Sequence, residues 1–444
     1  MGRSTEILGN RSAGSAAARR TSATPAPATP AAGTASERAT FGQVFAVGEF
    51  RALWLALILS VAGDQLARVA MTVLVYQRTR SPLLTALTYA MTFLPWVVGG
   101  IALSGFADRL PRRQVMIACD VARMVLVCLM AVVSLLGTAT SLWIMVALLF
   151  LVTLLDSPFK SARSALFPDI LTGEKYVLGT AVTQMTFQVG MVTGFAFGGI
   201  VMAALGARPA LLADAITFAV SALLLTCWVR RRPAASRANH PSPRRDMAAG
   251  MRLVFGDPAL RALMLFGWLV TFYVVPMGLA APYAARFHEL PLAVGTGLVF
   301  AANPFGTAVG AYLLGRRITP SRRQWLMRPL AIGSCAVLTL CWWQPGYAAS
   351  LTIFAISGAC AAYQVAANAA FVAKVPAQQR GQAFGLANGG MQVLQGAWFI
   401  VAGALAQRFG PSSVVAGSGL LGAVVAVVLS LSLRAQAHDN PAAR

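Results

Sequence analysis

The feature that most constrains this chain is the recurrence of apolar runs as long as a bilayer is thick. A helix crossing the hydrocarbon core needs about 20 mostly apolar residues. It must also satisfy its own backbone hydrogen bonds, because lipid offers none. Twelve such runs follow one another through the 444 residues, at 51–76, 82–106, 114–137, 141–160, 177–205, 209–229, 260–284, 292–315, 326–344, 347–372, 382–408 and 411–433. Their gaps carry helix-breaking residues, as at Ser81-Pro82, Leu110-Pro111, Gly206-Ala207-Arg208-Pro209, Gln344-Pro345-Gly346 and Gly410-Pro411. Only 11% of the residues are charged, against roughly 25% in soluble chains. Too few charges exist to cover a water-soluble surface, so lipid is the solvent. The expectation is an all-α membrane protein with twelve transmembrane helices.

A net charge of +22 invites a nucleic-acid reading, which its distribution excludes. Arg78, Arg80, Arg208, Arg286 and Arg408 lie in one set of loops, and Arg68 and Arg123 lie inside apolar runs. The remaining Lys and Arg sit in the tails, the alternate loops and the adjoining helix starts. That is the positive-inside pattern, and it predicts that both termini are cytoplasmic. Residues 1–40, rich in Ala, Ser, Thr, Pro and Arg, lack the apolar core of a signal peptide and read as a disordered cytoplasmic tail. Residues 435–444 read the same way. The longest internal loop, 230–259, is basic and Pro-rich. It divides the chain into a six-helix bundle at 41–229, a cytoplasmic linker, and a second six-helix bundle at 260–434. Such an even split fits a two-bundle transporter with its substrate site near the midplane, better than a channel or a membrane enzyme. Cys119, Cys128, Cys227, Cys335, Cys341 and Cys360 all lie in apolar runs without C-x-x-C spacing. They read as small apolar residues, not disulfides or metal ligands.

Two motifs carry a family resemblance. The loop after the second run reads Ser104-Gly-Phe-Ala-Asp108-Arg109-Leu-Pro111-Arg112-Arg113. It resembles the G-x-L-A-D-R-x-G-R-R loop signature of the major facilitator superfamily, with Ser104, Phe106 and Pro111 departing from it. The fifth run carries Gly190-x-x-x-Gly194-Phe195-x-x-Gly198-Gly199. This is similar to the superfamily's antiporter signature, G-x-x-x-G-P-x-x-G-G, with Phe195 in place of the Pro. Small residues on one face let helices approach closely. Together with Gly63-Asp64, Asp156-Ser-Pro158 and Val375-Pro376-x-x-x-Arg380-Gly381, they resemble the branch of enterobactin-exporter-like transmembrane secretion effectors, over about residues 41–434. The resemblance implies proton-coupled efflux of a small organic molecule by alternating access, and does not fix the molecule. It also implies a gating latch in which Asp108, with Arg109 and Arg112, pairs across helices. Simple positive-inside anchoring is the plainer account of Arg112 and Arg113. An uptake permease on the same scaffold, or a non-transporting receptor, are the alternatives.

Ionisable groups at bilayer depth are costly, so each is a functional candidate. Asp64 sits at the centre of the first run, and Arg68 follows on the same helical face. A proton-coupling carboxylate needs a pKa that changes with conformation; desolvation raises it and a nearby Arg lowers it. Asp64 is therefore the expected proton site and Arg68 its modulator, with a static buried pair as the alternative. Asp120 and Arg123 are read as gating residues near the cytoplasmic end of the third run, joined by Asp156 near that end of the fourth. Asp214 is read as interfacial, or as a second proton site. Gln184, Gln188, Asn303, Gln364, Asn368, Asn388 and Gln392 are candidates to line a substrate cavity, with Gln65, Gln395, Trp96, Trp268, Tyr273 and Trp398. Interhelical bonding is the plainer role for each. No phosphate-binding loop, H-E-x-x-H or Cys/His cluster is present, so neither an enzyme nor a metal or other cofactor is expected. The expected partners are a small-molecule substrate, protons and the lipid bilayer of the cell membrane, with the chain a monomer.

Overall fold

The computed structural model describes residues 39–95, 110–232, 243–376 and 379–439. Among them, eleven helices are long and apolar enough to cross a membrane. In chain order they are α1 (Gly48–Thr79), α3 (Arg112–Val133), α4 (Ala139–Ile170), α5 (Gly173–Leu205), α6 (Ala207–Trp228), α7 (Pro258–Gly278), α8 (Leu292–Arg317), α9 (Arg322–Trp343), α10 (Tyr347–Lys374), α11 (Arg380–Phe409) and α12 (Pro411–Ser432). The remaining element, α2, starts at Pro82 and is helical to Ala90, close to the edge of the described residues.

Local chemistry sets the turns. Arg80 ends α1 in the left-handed conformation (φ 51°). Ser81 then caps α2 by accepting a hydrogen bond from Leu84 N at 3.2 Å, and Pro82 occupies the first turn, where its missing N–H is no loss. Gly206 between α5 and α6 and Gly410 between α11 and α12 have φ of 85° and 80°. Only glycine takes that conformation without strain. The same hairpin turn thus recurs at matching places in the two halves. Helix α7 is irregular. It breaks around Leu269, Val274 and Leu279, near Pro276 and where Gly278 lies flat against Phe399 of α11.

Helix α1 packs on α5 and α6, and α3 on α4 and α6; further along, α8 packs on α10 and α9 on α12. The two sets meet along two seams, α5 with α8 and α2 with α11. Large apolar side chains such as Val132, Ile216, Leu223 and Leu420 point outward. In water they would form a sticky patch; in a bilayer they face acyl chains.

Several elements depart from the sequence expectations. Helix α4 does not stop near residue 160 but continues to Ile170, with Pro158 and Pro168 inside it. Charged and polar residues hide its last turns from a hydropathy reading. The linker carries a helix, Pro243–Gly256, which lies against the start of α11, with Gly250 close to the Gln382 carbonyl. Its start is tied down as well: Arg232 pairs with Glu49 at 2.7 Å, and Arg230 N donates to the same carboxylate. The last helix runs on to Asp439, into the stretch read as a tail. Residues 1–38 of the other tail lie outside the described residues.

Candidate functional site

Four helices of the first half each place charge inside the protein. Asp64 and Arg68 come from α1, Asp120 and Arg123 from α3, Asp156 and Lys160 from α4, and Asp214 from α6. Asp64, Arg68, Arg123, Asp156 and Asp214 line one cavity together with Thr92 and Thr153. Its volume, about 30 Å³, suits water and is far below the several hundred Å³ of a drug-sized site.

Arg123 is the hub. It is 1% exposed, and its guanidinium lies 3.7 Å from Asp120 and 3.6 Å from Asp156. It also stacks over the rings of Phe159 and Phe218, at 4.5 and 5.0 Å. Asp156 is shared with Lys160 at 2.5 Å. Asp120 accepts a 2.6 Å hydrogen bond from Ser221 of α6. Even so, Asp120 Oδ1 and Arg123 Nε and Nη2 make no hydrogen bond among the described residues. Both Arg123 contacts exceed ordinary hydrogen-bond length, so the network is attracted but not locked.

Three sequence expectations are corrected here, and the static Asp64–Arg68 pair held as the alternative is not formed: no contact within 4.0 Å joins the two. Both instead line the shared cavity, with Arg123, Asp156 and Asp214. Asp120 and Arg123 are at the middle of α3, not at its end near the loop, because α3 begins at Arg112. Asp156 is likewise mid-helix, because α4 is longer than its apolar run. Asp214 is not interfacial but 1% exposed, because Gly63 opposite it leaves room for the carboxylate.

The loop motif is partly in view. Asp108 and Arg109 lie outside the described residues. Arg112 donates to Asp169 and to the Ala165 carbonyl at the end of α4, at 2.7 and 2.6 Å. Arg113 donates to the Leu225 and Thr226 carbonyls of α6. Both anchor the start of α3 within the first half.

The glycine motif is a packing surface with two faces. A Cβ on Gly190, Gly194 or Gly198 would run into Val61, Gln65 and Leu66 of α1. One on Gly199 would lie 2.6 Å from the Ala293 carbonyl of α8. Phe195, the departure from the signature, stacks on Phe300 of α8 (4.8 Å, 12°). Tyr89, Phe93 and Phe399 extend this aromatic layer across the α2–α11 seam. Gln407 donates to Ser81 at 2.7 Å beside it. The contacts with α8 and across the α2–α11 seam join the two halves on the side of mid-span where α1 turns into α2 and α5 into α6.

The cavity candidates separate. Gln364 donates to Tyr273 Oη at 2.7 Å, Trp268 to the Ala387 carbonyl and Trp398 to Ser418; these are bonds between helices of the second half. Gln184, Asn368 and Asn388 are exposed, and Gln188 and Gln392 half-buried. Trp96 lies outside the described residues. Asn303 and Gln65 are buried, and Asn303 Nδ2 and Gln65 Oε1 have no partner among the described residues. Gln395 is buried too. Lys160, Thr92 and Thr153 escaped the sequence reading. Only Lys160 left a signal there, four residues after Asp156 on one helix face. The second half offers no comparable site: from 258 to 438 its sole acidic residue is Glu289, in the turn before α8.

Comparison with known proteins bears on this arrangement. The sequence model described as Major Facilitator Superfamily matches residues 53–316 and 279–444. The enterobactin exporter EntS of Shigella boydii serotype 4 (strain Sb227) is 27% identical over 325 residues, covering 70% of this chain and 73% of that one. EntS of Salmonella choleraesuis (strain SC-B67) is 29% identical over 322 residues, with the same coverage. Among solved structures, the nucleoside transporter NupG superposes with a TM-score of 0.69 at 12% identity, over 87% of this chain and 99% of its own.

Proposed function

Since this chain belongs to the major facilitator superfamily and is a secondary transporter of the membrane, not an enzyme, we propose that it exports a small organic molecule in exchange for protons. The fold is that of twelve helices in two six-helix bundles, residues 41–229 and 260–434, with both termini in the cytoplasm. The alternating loop charges support that orientation. The aromatic layer at Phe195 and Phe300 then faces away from the cytoplasm, and the described state is inward-facing. Rocking of one bundle against the other along the α5–α8 and α2–α11 seams opens the opposite end.

One observation carries the reading: charge buried at mid-span, in one half only, around a water-sized cavity. A purely structural ion pair is expected to be bonded at close range and satisfied. Here Arg123 stands between two carboxylates without locking onto either. Such a group can change partner when a helix moves by a small distance. Asp64 is the proton-binding carboxyl, with Arg68 as its modulator, and Asp120, Arg123 and Asp156 transmit the change to the gate. Arg112 and its loop neighbours Asp108 and Arg109 hold the cytoplasmic end. The substrate is an amphiphilic organic molecule; export of enterobactin by the named relatives places a siderophore among the candidates. Asn303 and Gln65 offer it an unpaired donor and acceptor.

Proteoliposomes with an imposed pH gradient test this directly. With ethidium and enterobactin as probes, the expected result is uptake of at least one probe driven by an acidic lumen, in exchange for protons, and abolished by a protonophore. Flux in the same direction as the protons would establish an uptake permease instead.

A further inference from the structure

Asp214 belongs to no motif, and the proton site above is complete without it. It is nonetheless the most completely buried carboxylate facing that cavity. Its side chain is 1% exposed. Among the described residues it takes part in no ion pair. Among the described residues its one side-chain hydrogen bond comes from Thr217 Oγ1 of its own helix, long at 3.4 Å, while that hydroxyl donates better to the Asp214 carbonyl, at 2.7 Å.

Its placement depends on the residue beside Asp64. A Cβ built on Gly63 would collide with both Asp214 Oδ1 and Thr217 Oγ1. The carboxylate therefore fills the hollow that the missing side chain of Gly63 leaves, one residue from Asp64, and both acids line the same cavity. The other charges facing this cavity are Arg68 on α1, Arg123 on α3 and Asp156 on α4, with Lys160 and Asp120 behind them. Helix α5, which also packs on α6, places no charged side chain on the cavity. Arg123 and Lys160 are engaged with Asp120 and Asp156. Arg68 and Arg123 are then the two cations facing the three carboxylates of the cavity, and neither lies within 4.0 Å of Asp214. A buried carboxylate without a cation in contact is tolerated chiefly as the acid.

We propose that Asp214 is a second proton-binding carboxyl, forming with Asp64 a pair that holds the exchanged proton across the Gly63 notch. The proposal rests on the proton-coupled reading above. Two carboxyls this close titrate as a unit, so neutralising one of them alters proton binding without abolishing it. Along α6, Asp214 lies about 10 Å beyond Ser221, at 1.5 Å per residue, and Ser221 bonds to Asp120. The pair is thus the far end of a charged column that begins at Lys160.

The test uses the full chain in proteoliposomes. N,N′-dicyclohexylcarbodiimide adds to a protonated carboxyl, and mass spectrometry maps the adduct. At pH 6 the expected result is modification of both Asp64 and Asp214, lost by pH 9, with Asp214 still modified in Asp64→Asn. Asp214→Asn is expected to lower pH-driven ethidium accumulation about tenfold. Gly63→Ala, which pushes a methyl group into the carboxylate's place, should have the same effect with Asp214 present. Modification of Asp64 alone at pH 6, with pH-driven flux in the wild type, overturns this proposal and leaves the proton-coupled reading standing. Absence of pH-driven flux in the wild type overturns both. If Asp214→Asn does not elute as a single species, the mapping on wild-type protein decides.

Discussion

Take away the guanidinium of Arg123 and two buried carboxylates, Asp120 and Asp156, lose the cation between them. Removing one partner from a buried ion pair costs about 3–5 kcal/mol, because the other charge is stranded. Arg123→Gln should therefore lower the melting temperature of the detergent-solubilised protein, and adding Asp120→Asn should recover part of the loss. If the double variant is no more stable than the single one, the two residues do not interact as described. Single residues were legible in the sequence wherever their cost was high: a charge inside an apolar run has few reasons to be there, which singled out Asp64, Arg68, Asp120 and Arg123. Their partners were not legible. Arg123 reaches across to α4, and Asp214 fits a hollow in α1, and neither relation has a sequence spacing. The i, i+4 spacing of Asp64 and Arg68 suggested a direct pair that the cavity makes unnecessary.

Helix by helix, the glycine motif does two jobs. Gly190, Gly194 and Gly198 set the distance to α1, whereas Gly199 and Phe195 set the contact with α8. Gly403 does the corresponding work on the other seam, where a Cβ would lie 2.6 Å from the Ala86 Cβ. Crowding such a site costs about 1–3 kcal/mol, and under alternating access it falls on the state in which these seams are in contact. Gly199→Val and Gly403→Val should shift the population about 5- to 150-fold towards the state in which this end is open. Spin-label distances between the α1–α2 and α7–α8 turns would report it as lengthening; unchanged distances would remove these seams from the gate. Phe195→Ala, which gives up an aromatic stack of about 0.5–1.5 kcal/mol, should move the same distances by less. The runs of apolar residues located nearly every helix. They misjudged α4, whose last turns are polar, and missed the linker helix, whose basic residues look like loop. A hydropathy pattern follows the solvent around a helix, not the helix itself.

At the scale of the molecule, the two halves share hairpin turns at Gly206 and Gly410 but not their chemistry. Among the described residues the fully buried charged side chains, Arg113, Asp120, Arg123 and Asp214, all lie in the first half. The interior of the second is joined by neutral hydrogen bonds such as Gln364 to Tyr273 and Tyr363 to the Phe266 carbonyl. Under the proposed function, proton binding falls to the first half and the neutral part of substrate binding to the second, with the two seams between them. The proposed cytoplasmic placement of the termini predicts that a fluorescent protein fused after Arg444 fluoresces in cells and that alkaline phosphatase fused there is inactive; the reverse would invert the inward-facing assignment. The scarcity of acids in the second half is legible in the sequence, where Glu289 is the sole one from 258 to 438; the cavity shared by the acids of the first half is not.

The central claim is that the buried charge of the first half couples protons to export. Asp64→Asn tests it most directly, in proteoliposomes that measure both pH-driven accumulation and gradient-free exchange of the same probe. The account predicts that exchange persists while pH-driven accumulation falls by at least tenfold. An Asp64→Asn protein that still concentrates the probe as the wild type does would contradict it.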